Sequence, residues 1–261
     1  MSKTLIILEK EWLELRKERS LVLGALLPPL LLALLPIGIM YAVGLVPDED
    51  TRELGAALAD PSLAGMSVLE LGQAVVGKQF SVLFLLVPLI VPSIVASYSI
   101  VGEKTGRTLE PLLATPVHTW ELLLGKSLAA LIPSAVVTWA GAAIFLAGTA
   151  AVAVSPRVLM AVISPGWALA VLLCTPTLAL IMIATCVAIS SRVNDPRTAQ
   201  QISAVAVVPL LALFFGQLAG VVVLSPAFAL GMALALALLA ALGVWGAVAL
   251  FQRETILTKW G

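Results

Sequence analysis

The chain has 261 residues, of which 61% are hydrophobic and 11% charged, and its mean hydropathy is +1.09. Soluble domains carry about 25% charged residues, so this composition excludes a soluble protein and predicts an integral membrane protein. The formal net charge is zero, and nothing in it indicates nucleic-acid binding. Cys174 and Cys186 fall on one predicted helix, where roughly 18 Å of rise separates them and excludes a disulfide between them.

Residues 1–20 are rich in charge and precede a long apolar run, which is not the pattern of a cleavable signal. Apolar residues recur there at spacings of three and four: Leu5, Leu8, Trp12 and Leu15. Two interpretations are open, a helix packed on its own protein or an interfacial helix in the headgroup plane with Trp12 at the boundary. A span starts immediately afterwards, which favours the interfacial helix, and both interpretations can hold together.

Six apolar runs follow, each long enough to cross a bilayer, which takes about 20 helical residues. The predicted spans are 21–46, 79–101, 127–151, 167–189, 202–224 and 228–250. The runs do not alternate in polarity, so a transmembrane β-barrel is excluded. We therefore predict an all-α membrane protein with a single transmembrane domain over residues 1–261. Bends are expected at the prolines inside three spans: Pro28, Pro29 and Pro36, then Pro88 and Pro92, then Pro209.

Basic residues concentrate on one side of this predicted bundle. The amino terminus, residues 102–126, residues 190–201 and the carboxyl tail share a side that carries most of the Lys and Arg. The other side holds only Arg52, Lys78 and Arg157. The positive-inside rule therefore predicts that both termini are cytoplasmic. Residues 47–78 form an acidic external segment, and residues 158–163 either form an external loop or dip into the membrane interface.

All Lys, Arg, Asp and Glu lie in predicted loops or at the extreme ends of spans, unlike the arrangement expected of an ion-coupled carrier. His118 is the only histidine, so neither a zinc site with paired histidines nor a Ser–His–Asp arrangement can form. We predict no catalytic, metal-binding or cofactor-binding residue. Intramembrane hydroxyls and amides usually bond to their own or a neighbouring helix. The candidates for lining a substrate path are Ser93, Ser97, Tyr98, Thr138 and Gln217.

Residues 102–126 form a polar island between the second and third predicted spans. If residues 103–113 are helical, Leu109, Leu112 and Leu113 share one face, and three charged residues share another: Glu103, Arg107 and Glu110. This pattern predicts a short amphipathic helix at a membrane surface.

Two dipeptides suit a helix N-cap followed by Pro at the first helical position, and both are candidate hinges: Thr115-Pro116 and Asp195-Pro196. Gly125-Lys126-Ser127 resembles the end of a phosphate-binding loop. However, the position of the first glycine is Trp120, and the residues between are typical of helix. Lys126 is predicted instead to snorkel at the start of the third span.

Residues 103–117, EKTGRTLEPLLATPV, followed by Gly125-Lys126, resemble the cytoplasmic signature of type-2 permeases of ATP-binding-cassette exporters. The loop at 190–201, SSRVNDPRTAQQ, and the tail at 251–257, FQRETIL, are similar to that family's next cytoplasmic turn and to the segment after its sixth span. The resemblance thus runs along most of the chain in the family's order.

The resemblance implies a transport subunit that has no ATPase site and pairs with a separate ATPase, which holds ATP and Mg. Two permease copies, identical or related, would line one path in the plasma (inner) membrane of a prokaryote. Residues 102–126 would be the coupling helix, which contacts the ATPase through Glu103, Arg107, Thr108, Leu109, Glu110, Leu112 and Leu113. The family mostly exports, and the uncharged interior suits a hydrophobic or amphipathic substrate. The alternative is a membrane-embedded assembly or signalling subunit that recruits a cytoplasmic partner without transport.

Overall fold

The computed structural model describes residues 3–45, 63, 65–106, 118–190, 193 and 195–250, and within these ranges it contains helices and no strand. The α-helices are α1 (Lys3–Lys17), α2 (Arg19–Gly44), α3 (Val68–Leu83), α4 (Val87–Thr105), α5 (Thr119–Val152), α6 (Pro156–Val162), α7 (Pro165–Ser190), α8 (Pro196–Ser203), α9 (Val208–Leu218) and α10 (Pro226–Leu250). Two short 3-10 segments, Phe84–Leu86 and Ala204–Val207, join α3 to α4 and α8 to α9.

Six stretches of the described residues are long and apolar enough to cross a membrane. They are α2, α3 with α4, α5, α6 with α7, α8 with α9, and α10. The all-α class with six spans is therefore confirmed. We call the end of the bundle where α1 packs the α1 end, and the other the opposite end.

The second span starts earlier than the sequence predicts. Helix α3 begins at Val68 rather than near Gln79, and Ser67 and Glu70 cap its start by exchanging hydrogen bonds. Its polar residues find partners inside the protein. The Gln73 amide donates to the Met40 and Val152 carbonyls at 2.9 and 3.2 Å and accepts from the Val154 N–H at 2.9 Å. This segment looks too polar for a membrane helix. It is helical because neighbouring parts of the chain provide hydrogen-bond partners for its polar side chain.

Two of the predicted proline bends coincide with a change of helix type. Proline lacks an N–H and its ring crowds the carbonyl four residues earlier. The segment Phe84–Leu86 precedes Pro88, and Ala204–Val207 precedes Pro209, so each span tightens into a 3-10 turn at that point. Helix α2 stays α-helical through its three prolines. The fifth span ends at Leu218, before the predicted end, in a turn where Gly220 has a φ of 71°.

Burial differs strongly among the spans. In the most apolar part of each span, 78% of the residues are buried in the second span and 50% in the fourth, against 44% in the third, 17% in the first, 11% in the fifth and 17% in the sixth. The second and fourth spans therefore form the centre of the bundle. The first, fifth and sixth present apolar faces outward, to lipid or to another protein.

Three aromatic rings pack against one another toward the opposite end of the core. Phe84, Phe145 and Trp167 come from the second, third and fourth spans, and their centroids lie 5.1 to 6.3 Å apart. The Trp167 indole N–H donates to the Ser81 carbonyl at 2.8 Å. Helix α6 packs on α3 beside them with Val158 and Val162 buried, so residues 158–163 form a protein-packed helix rather than a free loop.

The Gln73 contacts generate a stability prediction. Gln73→Leu leaves the Val154 N–H and two carbonyls without their partner, so we expect a loss of about 1–3 kcal/mol. Thermal unfolding in detergent measures this loss. Gln79→Leu is the matched control because Gln79 makes one bond, to the Phe214 carbonyl at 3.2 Å, and it should cost less. Equal unfolding temperatures for the two variants would contradict the role given to Gln73.

Candidate functional site

Four charged side chains meet at the α1 end and form what we call the ion cluster: Lys10, Glu11, Glu103 and Lys126. Lys126 Nζ lies 2.7 Å from Glu11 Oε1 and 2.8 Å from Glu103 Oε2, and it donates to Ser99 Oγ at 2.7 Å. Lys10 Nζ lies 2.5 Å from Glu103 Oε1 and 3.5 Å from Glu11 Oε1. Each of the two lysines thus contacts both glutamates.

The ion cluster is mostly shielded from solvent. The side chains of Lys126 and Glu11 are each 4% exposed, that of Glu103 is 8% exposed and that of Lys10 40%. Taking charges out of water is costly, and only good geometry and additional hydrogen bonds offset that cost. Each buried carboxylate here faces two ammonium groups. Removing one partner would leave an uncompensated buried charge, so the cluster holds its helices together as a unit.

The pKa values of the α1 members reflect this pairing. Burial alone would raise the pKa of the Glu11 carboxyl, but the charge and hydrogen bond of Lys126, with help from Ser99 and Lys10, lower that pKa below its ordinary value. Burial alone would lower the pKa of Lys10, but the hydrogen bond and charge of Glu103 raise it. Both groups are therefore charged at neutral pH.

A close helix contact accompanies the ion cluster. A Cβ atom placed on Gly125 of α5 would lie 2.8 Å from Ile7 Cγ2 and 3.2 Å from the Thr4 carbonyl oxygen of α1. Helix α1 can therefore approach α5 closely only because residue 125 is glycine. The Gly125-Lys126-Ser127 sequence lies inside α5, so it cannot form the glycine-rich loop of a phosphate site.

The ion cluster joins the two helices that flank the polar island. Glu103 lies in the last turn of α4, Lys126 lies in the second turn of α5, and α1 joins them through Lys10 and Glu11. The chain between these two helices is residues 106–118, the central part of the polar island. Both of its flanking helices are thus fastened to each other and to α1.

The structure corrects two expectations here. Lys126 does not snorkel toward water but lies buried between Glu11 and Glu103. Glu103 turns inward in this chain rather than standing on an exposed rim. The other predicted contact and hinge residues of the island lie outside the described residues: Arg107, Thr108, Leu109, Glu110, Leu112, Leu113, Thr115 and Pro116. At the other predicted cap, Asp195 accepts hydrogen bonds from Thr198 N–H and Oγ1–H, both at 2.8 Å, and Pro196 begins α8.

Sequence reasoning missed Lys10, Glu11 and Ser99. The only signal for Glu11 is that it follows Ile7 and precedes Leu15 at spacings of four, so it shares their helix face. The described α1 buries Ile7 and Glu11 against the bundle and leaves Leu5, Ile6 and Leu13 exposed. Packing on the protein is therefore shown, and the exposed apolar residues leave the interfacial interpretation open as well.

Most of the predicted path-lining hydroxyls bond within the helices. Ser93 donates to the Ile90 carbonyl and Thr138 to the Ser134 carbonyl, each at 2.7 Å, while Ser97 points to Cys186 Sγ at 3.7 Å. These three residues are buried in the single chain. Tyr98 is half-buried beside a small cavity under α1. A substrate-lining role for them stays a prediction.

Gln217 lies in a different environment, at the opposite end. It lines a cavity of about 230 Å³ together with Lys78, Trp167 and the turn that follows α9. Its amide donates to the Lys78 carbonyl at 3.2 Å, and its buried Oε1 has no hydrogen-bond partner among the described residues. Lys78 lies within α3, so a charged residue assigned to a loop by its sequence belongs to the second helical span.

The fold and the ion cluster define a multi-pass helical membrane protein in which an amino-terminal helix is fastened to the two helices that flank a polar island. The sequence model of a protein family, the ABC-2 family transporter proteins, matches residues 5–240 of the chain. The chain belongs to this family, and it is a membrane permease subunit of an ABC transporter. No curated protein matches the chain significantly.

Removal of the central cation of the ion cluster should destabilise the protein. Lys126→Met leaves Glu11 and Glu103 with only the partly exposed Lys10 as a shared partner, so one buried negative charge is uncompensated and we expect a loss of about 3–5 kcal/mol. Thermal unfolding in detergent measures it. Lys17→Met, which removes an exposed charge from α1, is the control and should change stability by less than about 0.5 kcal/mol. Equal effects of the two changes would contradict the proposed importance of the buried pairing.

The lowered pKa of Glu11 predicts that the folded protein loses stability at acid pH. A carboxyl whose pKa is lower in the folded protein contributes stability that is present above its ordinary pKa of 4.5 and is lost as the pH falls through the lowered value. The unfolding temperature of the wild-type chain should therefore fall below about pH 4.5, and that of Glu11→Gln should fall less steeply. Parallel profiles for the two proteins would show that Glu11 gains nothing from its partners on folding.

Proposed function

We propose that this chain is the permease subunit of an exporter that moves a hydrophobic or amphipathic substrate, driven by a separate ATPase that docks on residues 102–126. The observation that carries the proposal is the ion cluster. It fastens α4 and α5, which flank residues 106–118, to each other and to α1. A force applied to this segment would reach two spans through one rigid base.

The sequence of the segment supports a docking role. A short amphipathic helix can insert Leu109, Leu112 and Leu113 into an apolar groove while Arg107 and Glu110 pair with charges at its rim. Glu103 belongs to the base rather than to the contact surface, because it is already paired with Lys10 and Lys126. Thr108 would flank the inserted leucines, and Thr115-Pro116 would start the return toward α5.

The proposed orientation places the α1 end in the cytoplasm, where an ATPase can reach it. The described basic residues of the α1 end outnumber those of the opposite end, where Lys78 and Arg157 lie. ATP-driven closure of two ATPases beneath two permease copies would then move the coupling segments and change which side of the membrane the path faces. Asp195-Pro196 is proposed as a second stiff hinge at the start of the fifth span.

The weakly polar spans support the substrate class. The hydroxyls of Ser93, Thr138 and Thr185 already donate to backbone carbonyls, and that of Ser97 donates to Cys186 Sγ, so these four groups offer little to a strongly charged solute. The outward apolar faces of the first, fifth and sixth spans suit a second permease copy, which would place the path between two chains.

Aspartate substitutions in the coupling segment test the docking proposal. Leu109→Asp and Leu112→Asp put a charge into the apolar contact, so co-purification with the ATPase should weaken by about 30-fold or more, as loss of an interface hot spot predicts. ATPase activity and transport in proteoliposomes should fall with it, while membrane insertion is retained.

Val221→Asp is the control because Val221 is 81% exposed in the turn at the opposite end and should leave complex formation unchanged. Retained co-purification and transport in both leucine variants would contradict the proposal. If the ATPase binds wild-type chain but no candidate substrate changes its activity, the chain is an assembly or signalling subunit instead.

A further inference from the structure

A groove opens on the side of the bundle where α1 meets α2, α4 and α5. Its volume is about 310 Å³, and its walls are apolar apart from the Arg16 side chain and the Trp12 ring. The Trp12 indole N–H already donates to the Ala129 carbonyl at 3.4 Å. Among the described residues, Arg16 is thus the one charged side chain that lines this groove.

The groove ends about one leaflet away from the ion cluster. Its farthest lining residue on α5 is Val137, eleven residues beyond Lys126, which is roughly 16 Å at the rise of an α-helix. Half of a hydrocarbon core is about 15 Å. The groove is open at the side, where Leu26 is 46% and Val136 56% exposed. An acyl chain of the leaflet on the α1 side fits this shape.

The charge at its mouth distinguishes this groove from an ordinary lipid-facing surface. Lys10 is committed to Glu103 and to Glu14, whose Oε2 lies 3.1 Å from Lys10 Nζ, whereas Arg16 forms no ion pair or hydrogen bond with the described residues. Residues 16–19 are Arg, Lys, Glu and Arg, so three positive charges stand against one negative charge. A guanidinium binds phosphate oxygens with two parallel hydrogen bonds.

We propose that this groove is a binding site for one anionic phospholipid from the leaflet on the α1 side. Arg16 binds its phosphate, and one acyl chain lies along Trp12 between α2 and α5. The site depends on the membrane location of the chain and not on its proposed coupling to an ATPase. Because the lipid packs against the helix that carries Lys10 and Glu11, its binding reinforces the docking of α1.

Fluorescence quenching by brominated lipids tests the site directly. The full chain is placed in phosphatidylcholine vesicles that contain increasing fractions of phosphatidylglycerol or phosphatidylcholine with brominated acyl chains. The chain has six tryptophans, so the Trp12 signal is the difference between wild type and Trp12→Phe. We expect Trp12 to be half-quenched at a mole fraction of brominated phosphatidylglycerol about fivefold lower than that of the brominated phosphatidylcholine.

Two matched variants separate a site from diffuse attraction to the surface. Arg16→Gln should abolish the preference, whereas Lys17→Gln, which removes the same charge from the next residue outside the groove, should retain most of it. Ala25→Ile, which narrows the groove wall, should weaken quenching by both lipids. The proposal is overturned if the two lipids quench equally in wild type, if Arg16→Gln and Lys17→Gln act equally, or if neither lipid quenches Trp12 because protein covers the groove.

Discussion

The buried pairing of Lys126 with Glu11 and Glu103 holds α1, α4 and α5 together at the α1 end. These residues belong to three helices that are far apart in the chain, and the ammonium of Lys126 lies within 2.8 Å of both carboxylates. A charge buried in this way is stabilising only while its partners stay in place. The pairing therefore specifies one arrangement of α1, α4 and α5, which the glycine contact at Gly125 lets them adopt.

This arrangement of helices suits a membrane protein that is driven by a separate ATPase. In a permease subunit of an ABC transporter, the proposed source of energy is a separate ATPase outside the bundle, because this family generally has no ATPase site of its own. A coupling segment can transmit force only if its ends are firmly held. In the proposed mechanism the ion cluster would hold these ends at Glu103 and Lys126, and the aromatic contacts of Phe84, Phe145 and Trp167 would extend the rigid region toward the opposite end of the same spans.

Local sequence signals predicted much of the fold. Length and hydropathy identified six spans, and two of the bends predicted from proline positions coincide with the 3-10 segments that precede Pro88 and Pro209. The start of the second span was missed because Gln73 and Lys78 look polar in sequence, while the hydrogen-bond partners of Gln73 lie far away in the chain. The ion cluster was missed for the same reason. Glu11 and Lys126 are 115 positions apart, and no local pattern indicates that such residues meet.

If the ion cluster holds α1 to α5, the two helices should move as one body when the proposed ATPase acts. Spin labels at Leu13 of α1 and Leu146 of α5, both exposed, measure this in a complex with the ATPase, using a chain in which the buried Cys174 and Cys186 are replaced by alanine. Labelled chains are diluted with unlabelled ones so that only distances within a chain contribute. We expect one narrow distance that is the same with and without ATP and that broadens in Lys126→Met. A shift or a second distance on ATP binding, with the ion cluster intact, would contradict it.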